Sequence, residues 1–214
     1  MIRAILWDND GVLVDTEHLY FLATREVLAT VGITLTEAMY VELLLVQGKG
    51  AWHLAEEKGV SREDVARLRN QRNELYLKLV SAEVKVIDGV EDVLRALYGE
   101  YLMGVVTSSK REHFESIHSK TGLMKYFAFV LTGGDYGKHK PDPEPYLIAV
   151  EKTRFTKEEC VAVEDSERGL ISATAAGLKC IVIPRGLTRA QKFEGAYKVL
   201  KSIRELPAAL SLKD

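Results

Sequence analysis

The chain has 214 residues, 47% of them hydrophobic and 28% charged, with a net charge of −2; this is the balance of a folded globular protein rather than a disordered one. Near-neutral charge gives no electrostatic reason to expect nucleic acid or an anionic membrane as the main partner, and no apolar run approaches the roughly 18 residues of a membrane span. Asp8 stands where a signal peptide would continue its apolar stretch, and Cys160 and Cys180 are too few for a disulfide framework; both are expected to be buried thiols, and the cytoplasm is the default location.

Strand-like runs come first at Arg3–Trp7, then at Met103–Thr107, Phe129–Leu131, Val161–Val163 and Cys180–Ile183. They are near-continuously apolar, as expected of strands covered on both faces. Helical periodicity fills the gaps. After Asp88 and Gly89 the apolar residues Val90, Val93, Leu94, Leu97 and Tyr98 fall on one predicted helix face. Asp142-Pro143 reads as an N-cap followed by proline in the first turn, and Ser202 to Leu212 as a closing helix. Alternation of this kind predicts an α/β fold, a Rossmann-like parallel sheet wrapped by helices.

One region breaks the alternation. From Thr16 to about Leu79 there are only helical patterns, interrupted near Gly32, Gly48–Gly50 and Gly59. The expectation is an all-helical cap over residues 15–84, inserted into an α/β core made of residues 1–14 and 85–214. Hinges are expected near Asp15 and near Val84–Ile87.

Ligands of open parallel sheets bind beyond the carboxyl ends of the strands. Here the first strand runs into Asp8-Asn9-Asp10-Gly11, the second into Thr107-Ser108-Ser109, and the fourth into Glu164-Asp165-Ser166, while Lys140-Pro141 lies in the loop beyond the third. A strand-end carboxylate such as Asp8, held against a divalent cation, can attack a phosphoryl group and form an aspartyl phosphate. A carboxyl two residues later, Asp10, can protonate the leaving oxygen and later take a proton from water. Gly11 lets the backbone turn and approach the phosphate. Mg²⁺ requires hard oxygen ligands of the kind these acids offer, and Lys140 and the Thr107 hydroxyl can offset phosphoryl charge. Asp-Asn-Asp-Gly also suits a plain turn, but the calcium-loop pattern fails because Gly11 comes too early and Val12 to Val14 are apolar.

Together these segments resemble the haloacid dehalogenase-like hydrolases, within them the β-phosphoglucomutase-like and phosphoglycolate-phosphatase-like group. The carrying residues are the opening Asp8-Asn9-Asp10-Gly11-Val12-Leu13-Val14-Asp15-Thr16-Glu17, then Thr107, Lys140 in Lys140-Pro141-Asp142-Pro143, and Glu164-Asp165-Ser166-Glu167-Arg168-Gly169. The resemblance implies Asp8 as nucleophile and Mg²⁺ ligand, and Asp10 as acid/base with its carbonyl on the metal. It implies Asp165 as a further direct ligand and Glu164 as the holder of metal-bound water. Asn9, Thr107, Ser108 and Lys140 would bind the transferring phosphoryl group. The presence of Asp10 argues against the dehalogenases of the superfamily.

In the mutases of that group a histidine on the first cap helix and an arginine in the cap's glycine loop help bind the sugar phosphate. Here Tyr20 stands about where the histidine is expected, and the loop Gln47-Gly48-Lys49-Gly50-Ala51-Trp52-His53 has no arginine. Lys49 and Arg72 are the candidates for a second anion site. The expected function is a Mg²⁺-dependent phosphatase of a small phosphorylated metabolite, such as a sugar phosphate, acting as a monomer or weak homodimer. A phosphomutase, a phosphonate-cleaving enzyme using Lys49 or Lys58, and a catalytically silent binding protein are the alternatives.

Overall fold

Five strands form where the apolar runs predict them, and a sixth joins at the edge. They are β1 (Ala4–Trp7), β2 (Leu102–Val106), β3 (Phe129–Leu131), β4 (Cys160–Glu164), β5 (Lys179–Val182) and β6 (Lys198–Val199). All neighbours pair in parallel, in the order β3-β2-β1-β4-β5-β6. The computed structural model describes residues 1–211.

Strand alternation sorts the core into two layers. Ile5 and Trp7 of β1 face one cluster, with Val105 and Val163; Ala4 and Leu6 face the other, with Val106 and Ala162. Helices α5 (Val90–Leu97) and α9 (Leu206–Ser211) cover the first layer, and α7 (Glu144–Thr153) and α8 (Glu167–Ala175) the second. Both cysteines are buried free thiols in β4 and β5.

Between β1 and α5 the chain is helical: α1 (Glu17–Ala29), α2 (Glu37–Tyr40) running into a π-helical turn (Val41–Val46), α3 (His53–Glu57) and α4 (Arg62–Glu83). These helices enclose an apolar cluster of their own around Phe21, Leu28, Leu35, Tyr40 and Trp52. A smaller cluster, including Leu19, Tyr76 and Val80, reaches Ile117 on α6 (Arg111–His118). The two connecting segments run side by side, joined by an antiparallel bridge between Val14 and Val86.

Some details depart from the sequence reading. Tyr98 does not share the buried face of α5; it is extended at the helix C-cap and 60% exposed. Helix α7 starts at Glu144 with Pro143, not Asp142, at its N-cap; Asp142 stands one residue earlier, where its Oδ1 accepts from the Glu144 amide at 3.0 Å. The closing segment is split into a 3₁₀ turn (Ile203–Glu205) and α9; Leu212 lies outside the described residues.

Candidate active site

The carboxyl ends of β1, β2 and β4 meet the loop after β3 in one place. Asp8, Glu164 and Asp165 are buried, and each offers a carboxylate oxygen within 4.8 Å of the others. Lys140 Nζ enters this cluster, donating to Asp8 Oδ1 and Glu164 Oε1, both at 2.6 Å, and to the Val106 carbonyl at 2.9 Å. The Tyr146 hydroxyl of α7 donates to the same Glu164 oxygen at 2.6 Å.

Three buried acids against one lysine leave negative charge in excess. Burial raises the Asp8 pKa well above the usual carboxylate range; Lys140 opposes this, while Glu164 and Asp10 add to it. Asp165 is raised in the same way, by burial and then by Asp8 and Glu164. Burial alone would lower the Lys140 pKa, but the Asp8 and Glu164 carboxylates outweigh it and hold the lysine protonated. A cluster of carboxylate oxygens this close together could hold a divalent cation.

Two glycines make the close packing possible. Gly11 adopts φ +85°, a region open to glycine, and a Cβ built there would lie 2.1 Å from Asp165 Oδ2. A Cβ on Gly169 would lie 1.9 Å from Glu164 Oε2, so the first turn of α8 rests directly on that carboxylate. Thr188 donates to the same Asp165 Oδ2 at 3.2 Å.

Asp10 lies apart from the metal-type cluster, in a cradle of hydroxyls. Thr16 donates to its Oδ1 at 2.5 Å; Ser109 and Thr107 donate to its Oδ2 at 2.8 and 3.1 Å. Thr107 is held in turn by the Ser109 amide at 3.0 Å. Ser108 lines the cleft, as do Asp8, Asp10, Lys140 and Asp165. Asn9 is not brought to it. Its fully buried side chain points to α6, with Oδ1 accepting from His118 Nε2 at 2.7 Å.

The cleft above these groups measures about 610 Å³ and is lined on its far side by the helices between β1 and α5. Two of its residues, Glu17 and Arg168, stand in the motifs of the sequence without a role assigned to them there. Glu17 lines it and accepts from the Tyr40 hydroxyl; burial raises the Glu17 pKa to about 7, against the Tyr40 bond that lowers it. Arg168 on α8 donates to the Lys140 carbonyl and, at 3.3 Å, to the Leu44 carbonyl, tying the β3–α7 loop to the π-helical turn. Tyr20, Lys49, Trp52 and Arg72 also line the cleft. His18 is instead exposed beside Asp15, and Arg185 pairs with Asp15 at 3.3 Å. Glu17 closes the opening motif in the sequence, but only the structure shows it lining the cleft and accepting from Tyr40.

The family model of the haloacid dehalogenase-like hydrolases matches residues 5–183, and the chain belongs to that family. It is an enzyme of this hydrolase class. The protein CbbY of Cereibacter sphaeroides is 31% identical over 96% of this chain and 94% of its own. A phosphorylated carbohydrates phosphatase of Thermotoga maritima is 30% identical over 84% of each chain. Among solved structures, CbbY from Rhodobacter sphaeroides in complex with xylulose-(1,5)bisphosphate superposes with a TM-score of 0.83 at 30% identity, over 99% of this chain and 100% of that one.

Proposed function

We propose that the chain is a Mg²⁺-dependent phosphatase that hydrolyses a small phosphorylated metabolite, a sugar phosphate or similar, through an aspartyl phosphate on Asp8. The observation that carries this reading is the division of labour between two acids two residues apart. Asp8 sits in the buried acidic cluster against Lys140, and Asp10 sits in a hydroxyl cradle facing the same cleft. Relatives named for phosphatase activity on phosphorylated carbohydrates support the substrate class.

Asp8, Asp165 and Glu164 are the residues that would hold Mg²⁺, which supplies charge neutralisation to the phosphoryl oxygens and to the carboxylates around them. Asp8 attacks phosphorus, the phosphorus–ester oxygen bond breaks, and Asp10 gives its proton to the departing alkoxide. A water then attacks phosphorus, its proton passes to Asp10, and the bond to Asp8 breaks to release phosphate. Thr16, Thr107 and Ser109 keep the Asp10 carboxyl aimed between the two steps. Lys140 holds Asp8 in place and offsets charge on the phosphoryl group.

Residues 15–84 act as a cap on a core of residues 1–14 and 85–214, with the paired segments at Val14 and Val86 as the hinge. A closed cap excludes water that would compete before the ester bond breaks. The cytoplasm fits two free buried thiols.

Phosphate release from sugar phosphates, phosphoglycolate and an aryl phosphate tests the reading, with Mg²⁺, with chelator, and with Asp8→Asn. Mg²⁺-dependent release that Asp8→Asn abolishes is the expected result. Release that survives the substitution would remove Asp8 as nucleophile, and no release from any substrate would sink the phosphatase reading.

A further inference from the structure

Arg168 stands in the wall of the cleft and touches both the core loop that carries Lys140 and the helices between β1 and α5. It lies on the first turn of α8, half-buried, and among the described residues it pairs with no carboxylate. Both of its hydrogen bonds go to backbone carbonyls, those of Lys140 and, at 3.3 Å, of Leu44. Its Nε is buried and bonds nothing among the described residues. Such a placement costs hydration that a surface arginine keeps, which points to a use other than stability.

Each contact has a local cause. The Leu44 carbonyl lies in the last turn of the π-helical segment Val41–Val46, where carbonyls have no partner within the helix and a cation is favoured. Two residues beyond that segment Gly48 adopts φ +65°, and a Cβ built on it would lie 2.8 Å from Arg168 Cζ, so the guanidinium packs on the bare backbone of the glycine loop. The Lys140 carbonyl accepts from no amide among the described residues; Arg168 is what holds it. The Lys140 ammonium in turn has three protons, and it bonds Asp8, Glu164 and the Val106 carbonyl. A shift of the Lys140 backbone must therefore lengthen at least one of those bonds.

We propose that Arg168 is a positioning residue: clamped by the Leu44 carbonyl and Gly48 on one side and by the Lys140 carbonyl on the other, it sets Lys140 on Asp8 when residues 15–84 are seated over the cleft. The inference rests on the phosphatase reading for what Lys140 does, and adds how the placement of that lysine depends on residues outside the core.

Two double-substitution cycles and one measurement without substrate test it. With nitrophenyl phosphate and Mg²⁺, Arg168→Met should lower kcat roughly 10- to 100-fold, the loss expected when a reacting group is misplaced by about 1 Å, with KM changed far less. In a Lys140→Met background the same substitution should change kcat by less than about twofold, because the group it positions is gone. Gly48→Ala, which drives the guanidinium off the loop, should reproduce the fall in kcat and have no further effect in the Arg168→Met background. Arg168→Lys should recover part of the loss, since lysine keeps the charge but has no fork to reach two carbonyls. Without substrate, reductive methylation of Lys140 followed by peptide mass spectrometry reads how firmly the ammonium is held. Arg168→Met and Gly48→Ala should each raise that rate about tenfold, the order of one lost hydrogen bond. Equal losses of kcat in the two Lys140 backgrounds, or a methylation rate that neither variant changes, would overturn the assignment and leave Arg168 a structural residue. Should Arg168→Met not fold, Gly48→Ala and Arg168→Lys carry the same cycle against Lys140→Met. Absence of turnover in the unsubstituted protein would instead overturn the phosphatase reading, and the methylation rates then decide the positioning role by themselves.

Discussion

Glu164 and Asp8 each accept from the Lys140 ammonium at 2.6 Å, so Glu164 helps to hold the lysine beside Asp8. With Tyr146 on the same oxygen and the Gly169 backbone above it, this acid has little freedom to move. Its place in the cluster therefore serves Lys140 as much as any metal.

Lys140→Met should lower turnover by a factor on the order of 10² to 10³, the usual loss when a preorganised charge is removed from a reacting group. It should also leave three buried acids without their lysine. In chelator the variant is expected to lose about 3–5 kcal/mol of stability, as when one partner of a buried ion pair is deleted. Mg²⁺ should restore more of that loss than it adds to the unsubstituted protein. Denaturant melts with and without Mg²⁺ check this, and equal Mg²⁺ gains in the two proteins would contradict it.

Gly11→Ala should separate metal affinity from folding. The φ of +85° costs an alanine about 1–2 kcal/mol, which the fold should tolerate. The new Cβ would meet Asp165 Oδ2 at 2.1 Å, so that carboxylate must move. Mg²⁺ should then bind roughly 10- to 100-fold more weakly, a loss of the size seen when a ligand's support is removed. Titration of Mn²⁺ followed by electron paramagnetic resonance would read this directly, and unchanged affinity would take Asp165 out of the ligand set.

His118 offers a prediction at low pH. Burial lowers its pKa to about 4, so the folded protein holds a neutral ring whose Nε2 donates to Asn9 at 2.7 Å and whose Nδ1 accepts from Thr121 at 2.9 Å. A depressed folded pKa gives stability that is fully present above the unfolded value near 6.5 and is lost as pH falls towards 4. His118→Gln should reduce the fall in unfolding free energy between pH 6.5 and 4 by about 2–3 kcal/mol. Parallel slopes for the two proteins would mean that His118 does not titrate there.

The sheet was legible because five of its strands read as apolar runs, buried on both faces in β1, β2, β4 and β5 and half-buried in β3. Strand β6 was not, since it is two residues long with Val199 half in solvent. The carboxylates of the crevice were legible for a related reason: each follows an apolar run, at the edge where a parallel sheet places its ligands. Asn9 shows the limit. Its neighbours in sequence are both in the cleft region, but its partner is His118, 109 residues away, and only the packing of α6 against β1 turns the amide inwards. Arg72 is similar. Its periodicity on α4 says that it faces inwards, but not that Tyr20 and Trp52 hold it over a cavity.

Glu17 carries the last prediction. Its pKa is raised to about 7, by burial first and with Asp10 adding to it, while the Tyr40 hydroxyl and Arg168 act in the other direction. A raised folded pKa favours the protonated form, so the stability it contributes is fully present below the unfolded value near 4.5 and is lost as pH climbs through 7. Because Asp8 and Asp165 titrate in the same sense, the informative quantity is the difference between variants. Glu17→Gln should become the more stable protein above pH 7, by about 2–3 kcal/mol relative to its standing at pH 4.5. Tyr40→Phe removes the donor that favours the carboxylate, so the pH at which this loss is complete should move upwards. Unfolding curves at intervals from pH 4.5 to 8 for the three proteins decide it. A difference between Glu17→Gln and the unsubstituted protein that stays constant with pH would mean that Glu17 is ionised throughout and that the cleft is wetter than its burial implies.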